Sequence, residues 1–343
     1  MLNSSMKNGR LLTHGIETSC DETAVSVVAD GRDILSNVIS TQTSIHTQFG
    51  GGVPEIASRR HLENINGVID KALTDAEVCI RDIDLVGVTY GPGLVGALLI
   101  GVAAAKSIAY ACDIPLVGVN HMHGHIAANY LEPHDLAPPF MSLVVSGGHT
   151  NIVNVPDYNR CEKIGGTRDD AAGEAFDKVA RVIGLGYPGG PKVDKAAREG
   201  RRDAIDFKRV WLEPGSYDFS FSGLKTQALN YLNSERQAGR EINVNDVAAS
   251  FQEAVVEVIA EKAVRAAAEY GQKRIVMAGG VASNTRLREL ISEKAAAEGI
   301  DVLRPSPVLC TDNGAMIASA AYYAYKAGER SGYDLDAVPA LEF

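Results

Sequence analysis

Residues 144–150 read Val-Val-Ser-Gly-Gly-His-Thr, and the apolar runs Met141–Val145 and Asn151–Val155 on either side make them the turn of a hairpin. About 130 residues earlier, Gly15-Ile-Glu-Thr-Ser-Cys-Asp-Glu-Thr23 stands in the same way between an apolar stub and Ala24–Val28. Both are strand, polar turn, strand units made of small and hydroxyl residues. One in each half predicts a duplicated domain with two phosphate-cradling loops facing one cleft. Pro133-His-Asp-Leu-Ala-Pro-Pro139 reads as the linker between the halves.

Outward from these turns the chain alternates short strands with helices, an α/β pattern. Leu85–Thr89 is a strand broken by Gly91-Pro92-Gly93, Leu94–Ala111 a helix rich in small residues, and Leu116–Val119 the next strand. Val247, Phe251, Val255, Ile259 and Ala263 repeat every four residues along a long helix that Asn245 or Asp246 can cap and Gly271 ends. Arg274–Ala278 is a strand leading into Gly279-Gly280, and Thr285–Ala297 is helical.

The 343 residues suit two domains at about 150 residues each. Lys plus Arg total 33 against 43 Asp plus Glu, a net charge of -10, which argues against a surface carpeted for nonspecific nucleic-acid or membrane binding. The five cysteines form no CxxC pair, so neither a disulfide framework nor a cysteine zinc site is indicated. Met1–Thr13 has no apolar signal region, and the longest apolar run, Leu94–Ala105, falls well short of the roughly 20 residues of a spanning helix. A cytoplasmic protein with no membrane association is expected.

Three groups can do chemistry. In Asn120-His-Met-His-Gly-His125, His121 and His125 share one face of a helix and can bind one metal ion, or form a His-rich surface turn, while His123 points elsewhere. Met122 holds the place of the glutamate that a zinc peptidase of the HExxH type needs. Asp312, at a helix start, is either a third ligand or a simple N-cap. The pairs Gly147-Gly148, Gly189-Gly190 and Gly279-Gly280 let backbone N–H groups approach a phosphate, two of them at strand ends where open α/β sheets bind ligands. No Rossmann fingerprint or P-loop is present. Third, Asp169–Lys178 reads as a helix start in which Asp170, Glu174, Asp177 and Lys178 share one side, and Asp194 follows; the run is either a solvated helix face or, with Asp177 and Asp194 flanking Gly190, a site that accepts from sugar or amino-acid hydroxyl and amine groups. Asp21 and Glu22 in the first turn can polarise a nucleophile, or serve only the turn.

Together these stretches resemble one family, the TsaD (Gcp) tRNA N6-adenosine threonylcarbamoyltransferases of bacteria. The similarity is carried by Gly15–Thr23, Gly91-Pro-Gly-Leu-Val-Gly-Ala-Leu98, His121-x3-His125, Val145–Thr150, Asp169–Lys178, Tyr187-Pro-Gly-Gly-Pro191, Asp218–Thr226, Met277–Asn284 and Cys310–Met316, in fixed order. The resemblance implies an actin-like ATPase-type (ASKHA) fold, two ribonuclease-H-like lobes around a nucleotide cleft. The lobes would span residues 12–135 and 138–312, with a helix at about 313–327 returning to the first. It implies His121, His125 and Asp312 as ligands of one divalent ion, Fe(II) ahead of Zn(II). It further implies Val144, Val145, Ser146, Gly147, Gly148, Asp177, Gly190, Asp194 and Asn284 around an adenine nucleotide, threonylcarbamoyl-AMP, and Asp21 as the catalytic acid–base residue. The implied activity forms t6A at adenosine 37 of tRNAs reading codons that begin with adenine, alongside a TsaB-type pseudo-enzyme paralogue and a TsaE-type small ATPase. Departures from the family pattern are Asn120 for a frequent histidine, His123 for a glutamate, and Thr13-His14 where apolar residues are usual.

Arg198, Arg201, Arg202, Lys208 and Arg209, interleaved with Glu199, Asp203 and Asp206, are either a tRNA-facing patch or a solvated charged stretch. Two rival activities are a metal-dependent endopeptidase, suggested by the histidine pair, and an ATPase or sugar kinase of the same superfold, suggested by the two loops.

Overall fold

The computed structural model describes residues 9–43, 46 and 53–343; the polar stretch Met1–Asn8 lies outside them. The chain divides into two compact units. The first takes the chain up to Pro138, with Asp157–Arg160 and Pro305–Phe343; the second takes Pro139–Pro156 and Cys161–Arg304. Asp157–Arg160 and Pro305–Asp312 therefore leave the second half, where the sequence division had put them. Packing explains both shifts. Tyr158 stacks on Tyr323 at 4.4 Å between ring centroids, and the Ser306 N–H donates to Glu132 Oε2 at 3.0 Å.

In the first unit β1 (Leu12–Glu17), β2 (Glu22–Ala29), β3 (Asp33–Thr41), β4 (Leu85–Gly91) and β5 (Leu116–Asn120) form one sheet in the order β3-β2-β1-β4-β5. β1 runs antiparallel to β2 and parallel to β4. Period-two alternation sends neighbouring side chains to opposite faces. Ile16, Val88 and Leu116 pack with Ile65 of α1 (Pro54–Asp75) and Val102 of α2 (Val95–Cys112). Leu85, Val117 and Val119 pack with Ala128 of α3 (His121–Leu131) and with Met316 and Ala318 of the last helix, Gly314–Lys326. That helix lies so close to β1 that a side chain at Gly15 would run into the Gly314 carbonyl. α2 starts and ends one residue later than its sequence pattern suggested. By length and composition it is long and apolar enough to cross a membrane, one such helix among the described residues. Its Ala97, Leu98, Val102, Ala105 and Ala109 are nonetheless buried against the unit.

Polar residues in β1 are the exception to this apolar packing. His14 is fully buried, and neither ring nitrogen has a hydrogen-bond partner among the described residues. Burial lowers its pKa to about 4, so the ring is neutral.

The second unit repeats the plan. β6 (Phe140–Val145), β7 (Thr150–Asp157), β8 (Arg160–Gly166), β9 (Arg274–Ala278) and β10 (Asp301–Leu303) lie in the order β10-β9-β6-β7-β8. Counted within each unit, both sheets read third, second, first, fourth, fifth. β6 pairs antiparallel with β7, Val145 opposite Thr150, and parallel with β9. The same topology twice is the duplication that the two turns announced. α4 (Ala172–Val182), α5 (Gly189–Ala197), α6 (Ser222–Gln237), α7 (Val244–Glu269) and α8 (Thr285–Ala297) supply the rest of the core. Val247, Phe251, Val255, Ile259 and Ala263 are all fully buried along α7. The cap of α7 is Asn243, whose side chain accepts from the N–H groups of Asn245 and Asp246, so neither of the two residues read as caps holds that place.

Candidate functional site

α3 follows β5 directly, and Asn120 makes the joint. Its Oδ1 accepts the Met122 N–H at 2.8 Å and its amide donates to the Glu342 carbonyl at 2.9 Å. From that start, the four-residue spacing brings the His121 and His125 rings to 4.6 Å between centroids. Asp312 comes from the other end of the sequence, in the turn before the last helix. Asn313 caps that helix, accepting the Met316 N–H at 2.9 Å, so Asp312 is not its N-cap. The Asp312 carboxylate faces the histidine pair instead. Its Oδ1 lies 3.5 Å from His121 Nε2 and 3.3 Å from His125 Nε2, and ligand atoms of the three residues lie within 4.8 Å of one another.

These residues fit a divalent ion. His125 is buried, and neither of its ring nitrogens makes a hydrogen bond among the described residues, despite the short distance to Asp312. A buried nitrogen left so is costly unless something else takes its lone pair. Two imidazoles and one carboxylate suit Fe(II) or Zn(II). His123 is not in this set; its ring meets Phe343 edge-on at 5.2 Å, and burial lowers its pKa.

Glu17, which sequence reasoning passed over, stands behind the pair. It is fully buried in β1, with Oε2 3.0 Å from His121 Nδ1. Burial pulls the His121 ring down, but Asp312 and Glu17 together outweigh it and raise the pKa to about 9. For Glu17 burial pushes the carboxyl up, and the charge and hydrogen bond of His121 reverse that. The only sequence signal for Glu17 was its place inside the Gly15–Thr23 stretch.

Asp21 ends the turn between β1 and β2, whose backbone His61 holds through Cys20 O at 3.0 Å, and Glu22 opens β2. Burial, then a hydrogen bond with Asp21 and the charge of Asp312, push the Glu22 carboxyl up to about 10. Glu22 therefore keeps its proton at neutral pH.

The glycine loops belong to the second unit. Ser146 and His149 close the β6–β7 turn, and the Gly173 and Glu174 N–H groups at the start of α4 donate to Ser146 O and Gly147 O. Space beyond Gly147, Gly148, Gly190 and Gly280 is open, with nothing within 4 Å of where a Cβ would stand. Val144 and Val145 are fully buried, so only their backbone can meet a ligand. Asp177 Oδ1 accepts the Gly189 N–H at 2.6 Å; burial raises its pKa against that bond and a second from Gly190. Asp194 accepts the Thr285 N–H and hydroxyl and pairs with Arg198. Asn284 caps α8 and donates to Gln252 Oε1 at 2.7 Å. Asp177 thus fixes the loop that carries Gly190 at the start of α5, and Asp194 and Asn284 fix the start of α8; helix N-termini favour anions.

Other charged motifs are spent on structure. Asp169 accepts from the hydroxyls of Ser220 and Ser222 at the start of α6, and Asp170 is paired by Lys178 and Lys225. Asp177 is turned to Gly189, while the charge of Glu174 still reaches it. Arg198, Arg202, Lys208 and Arg209 each face a carboxylate, from Asp194, Glu289, Asp206 and Glu257.

A family model described as TsaD, tRNA N6-adenosine threonylcarbamoyltransferase, matches residues 33–319. A Clostridioides difficile (strain 630) protein of that name is 56% identical over 332 residues, 97% of this chain and 98% of its own length. One from Clostridium perfringens (strain SM101 / Type A) is 57% identical over 326 residues, 95% of this chain and 96% of its own. Among solved structures, full-length HypF in its phosphate- and nucleotide-bound form aligns at TM-score 0.62 with 18% identity, over 94% of this chain and 56% of HypF. Component A of the Acidaminococcus fermentans (R)-2-hydroxyglutaryl-CoA dehydratase aligns at 0.53 with 15% identity, over 93% and 100%. At such identities these structures speak for the fold alone, the actin-like ATPase type.

Proposed function

The chain belongs to the TsaD family of tRNA N6-adenosine threonylcarbamoyltransferases, and we propose that it takes the threonylcarbamoyl group from threonylcarbamoyl-AMP and delivers it to N6 of adenosine 37. The observation that carries this is 56% identity along nearly the whole of a curated relative of that name. The N6 amine is a weak nucleophile because its lone pair is delocalised into the ring, so the acyl donor must be strongly activated. A mixed anhydride with AMP meets that need: the N6–carbamoyl bond forms, the anhydride C–O bond breaks and AMP leaves with the electron pair.

Gly147, Gly148 and Gly190, with the backbone of Val144, Val145 and Ser146, are assigned the adenylate, whose phosphate suits the helix N-termini that Asp177, Asp194 and Asn284 hold in place. His121, His125 and Asp312 are assigned the divalent ion, which when bound supplies Lewis acidity toward a carbamoyl or phosphate oxygen. Asp21 receives the N6 proton on its carboxylate. Glu22 stands beside it as a neutral carboxyl.

The substrate tRNA is polyanionic and the chain carries a net charge of -10 with most of its candidate patch paired. We therefore assign part of the tRNA surface to partner proteins, a TsaB-type paralogue and a TsaE-type ATPase, in the cytoplasm. Val95, Leu99 and Tyr110, exposed along α2, support a protein partner on that helix. Mass spectrometry of tRNA incubated with the purified chain, its partners and threonylcarbamoyl-AMP tests the reading. Threonylcarbamoyl-adenosine is the expected product; its absence with metal-loaded protein refutes the assignment. The endopeptidase alternative is not favoured, since Met122 stands where its general base would be.

A further inference from the structure

Glu17 is a buried carboxylate with no role in the reaction as assigned above. Its Oε1 accepts the Ser19 N–H at 2.5 Å and its Oε2 the Thr89 hydroxyl at 2.5 Å. Both donors are neutral. A third group also reaches it: His121 Nδ1 lies 3.0 Å from the same Oε2. The other nitrogen of that ring, Nε2, faces Asp312 Oδ1 at 3.5 Å.

We infer that Glu17 is a positioning residue for the metal centre: it takes the Nδ1–H of His121, so that Nε2 is presented bare to the ion. This rests on the reading of His121, His125 and Asp312 as ligands. A ligating histidine commonly gives its second N–H to a carboxylate, which fixes the tautomer and raises the basicity of the ligating nitrogen. Glu17 and Asp312 together carry two negative charges, the complement of a divalent ion. The two histidines are unequal in this respect, because His125 Nδ1 has no partner among the described residues. His121 is the anchored ligand and His125 the adaptable one. Ser19 Oγ, 3.2 Å from the same Nδ1, is the competing partner for the ring.

The test is a zinc titration of the metal-free full chain against a chromophoric chelator. It compares wild type with Glu17→Gln, Glu17→Asp and Ser19→Ala. Glu17→Gln keeps the shape and loses the charge, and should bind zinc roughly 10- to 100-fold more weakly. Ser19→Ala keeps the Glu17–His121 contact and should stay within about threefold of wild type. In the zinc-loaded protein, the His121 Nδ1–H proton should resonate far downfield in wild type and move upfield in Glu17→Gln, a shift that loss of packing alone would not produce. Should Glu17→Gln not fold, Glu17→Asp, which withdraws the charge by one methylene, carries the same expectation of weakened binding. Wild-type affinity in a folded Glu17 variant, or an unmoved Nδ1–H resonance, overturns the inference and leaves the metal reading standing. A wild-type chain that binds no zinc and no Fe(II) defeats the metal reading itself.

Discussion

Replacing His14 by leucine should stabilise this protein, and increasingly so as the solution is made acid. The ring is fully buried in β1 with both nitrogens unpartnered among the described residues, and burial holds its pKa at about 4 against 6.5 for an exposed imidazole. Well above pH 6.5, by about pH 7.5, neither the folded nor the unfolded chain protonates His14, so its titration costs almost nothing there. As pH falls below 6.5 the unfolded chain takes a proton that the folded chain refuses, and stability drains away until the folded pKa is reached near pH 4. With 1.36 kcal/mol per pKa unit, the loss is about 1.4 kcal/mol at pH 5.5, about 2.6 at pH 4.5, and about 3.4 at the limit. A leucine of similar bulk removes this term, and removes the unpaired imidazole groups, worth roughly 1–3 kcal/mol at any pH. Urea unfolding of wild type and His14→Leu at pH 7.5, 6.5, 5.5 and 4.5 measures it. Other titrating groups are common to both proteins and cancel in the difference. A stability difference that does not change between pH 7.5 and 4.5 would show that His14 is not the buried neutral ring described here.

Three other outcomes follow from the site. Asp21→Asn should lower transfer at pH 7 by at least about 100-fold, the scale of a lost general base, whereas Glu22→Gln, which replaces an already neutral carboxyl, should retain transfer within about tenfold; single-turnover rates separate the two. Gly148→Ala with Gly190→Ala should leave the unfolding free energy in urea within about 1 kcal/mol of wild type, since both positions face open space, yet weaken adenine-nucleotide binding at least about tenfold by calorimetry. Asn120→Ala removes the cap of α3 and its tie to Glu342 O, and should cost about 1 kcal/mol in urea unfolding.

Helix caps and charged runs are the features that local sequence determines least. Asn243 and Asn313 took caps that spacing had given to Asn245 or Asp246 and, as one alternative, to Asp312. A cap is chosen by the backbone angles of the residue just before the first turn, and these depend on how the incoming loop packs. For Asp312 the difference of one position decides whether its carboxylate is spent on a helix end or turned toward two histidines. The basic stretch from Arg198 to Arg209 looked as if it could contact tRNA because carboxylates far along the chain, Glu257 and Glu289 among them, could not be seen to meet it.

What the amino-acid order determined by itself was local. Alternation made the strands, four-residue spacing put His121 and His125 on one face, and two polar turns announced a plan that both sheets repeat. These follow from periods of two and 3.6 residues that hold wherever the segment lies. What only the tertiary structure decided was which distant groups meet. Glu17 and His121 stand 104 positions apart and touch because β1 lies beside β4 and β4 beside β5, which leads into α3. Asp312 joins them because the last helix closes onto β1 over Gly15, where no side chain would fit. Such contacts are set by the packing of whole elements, so no local period in the sequence records them.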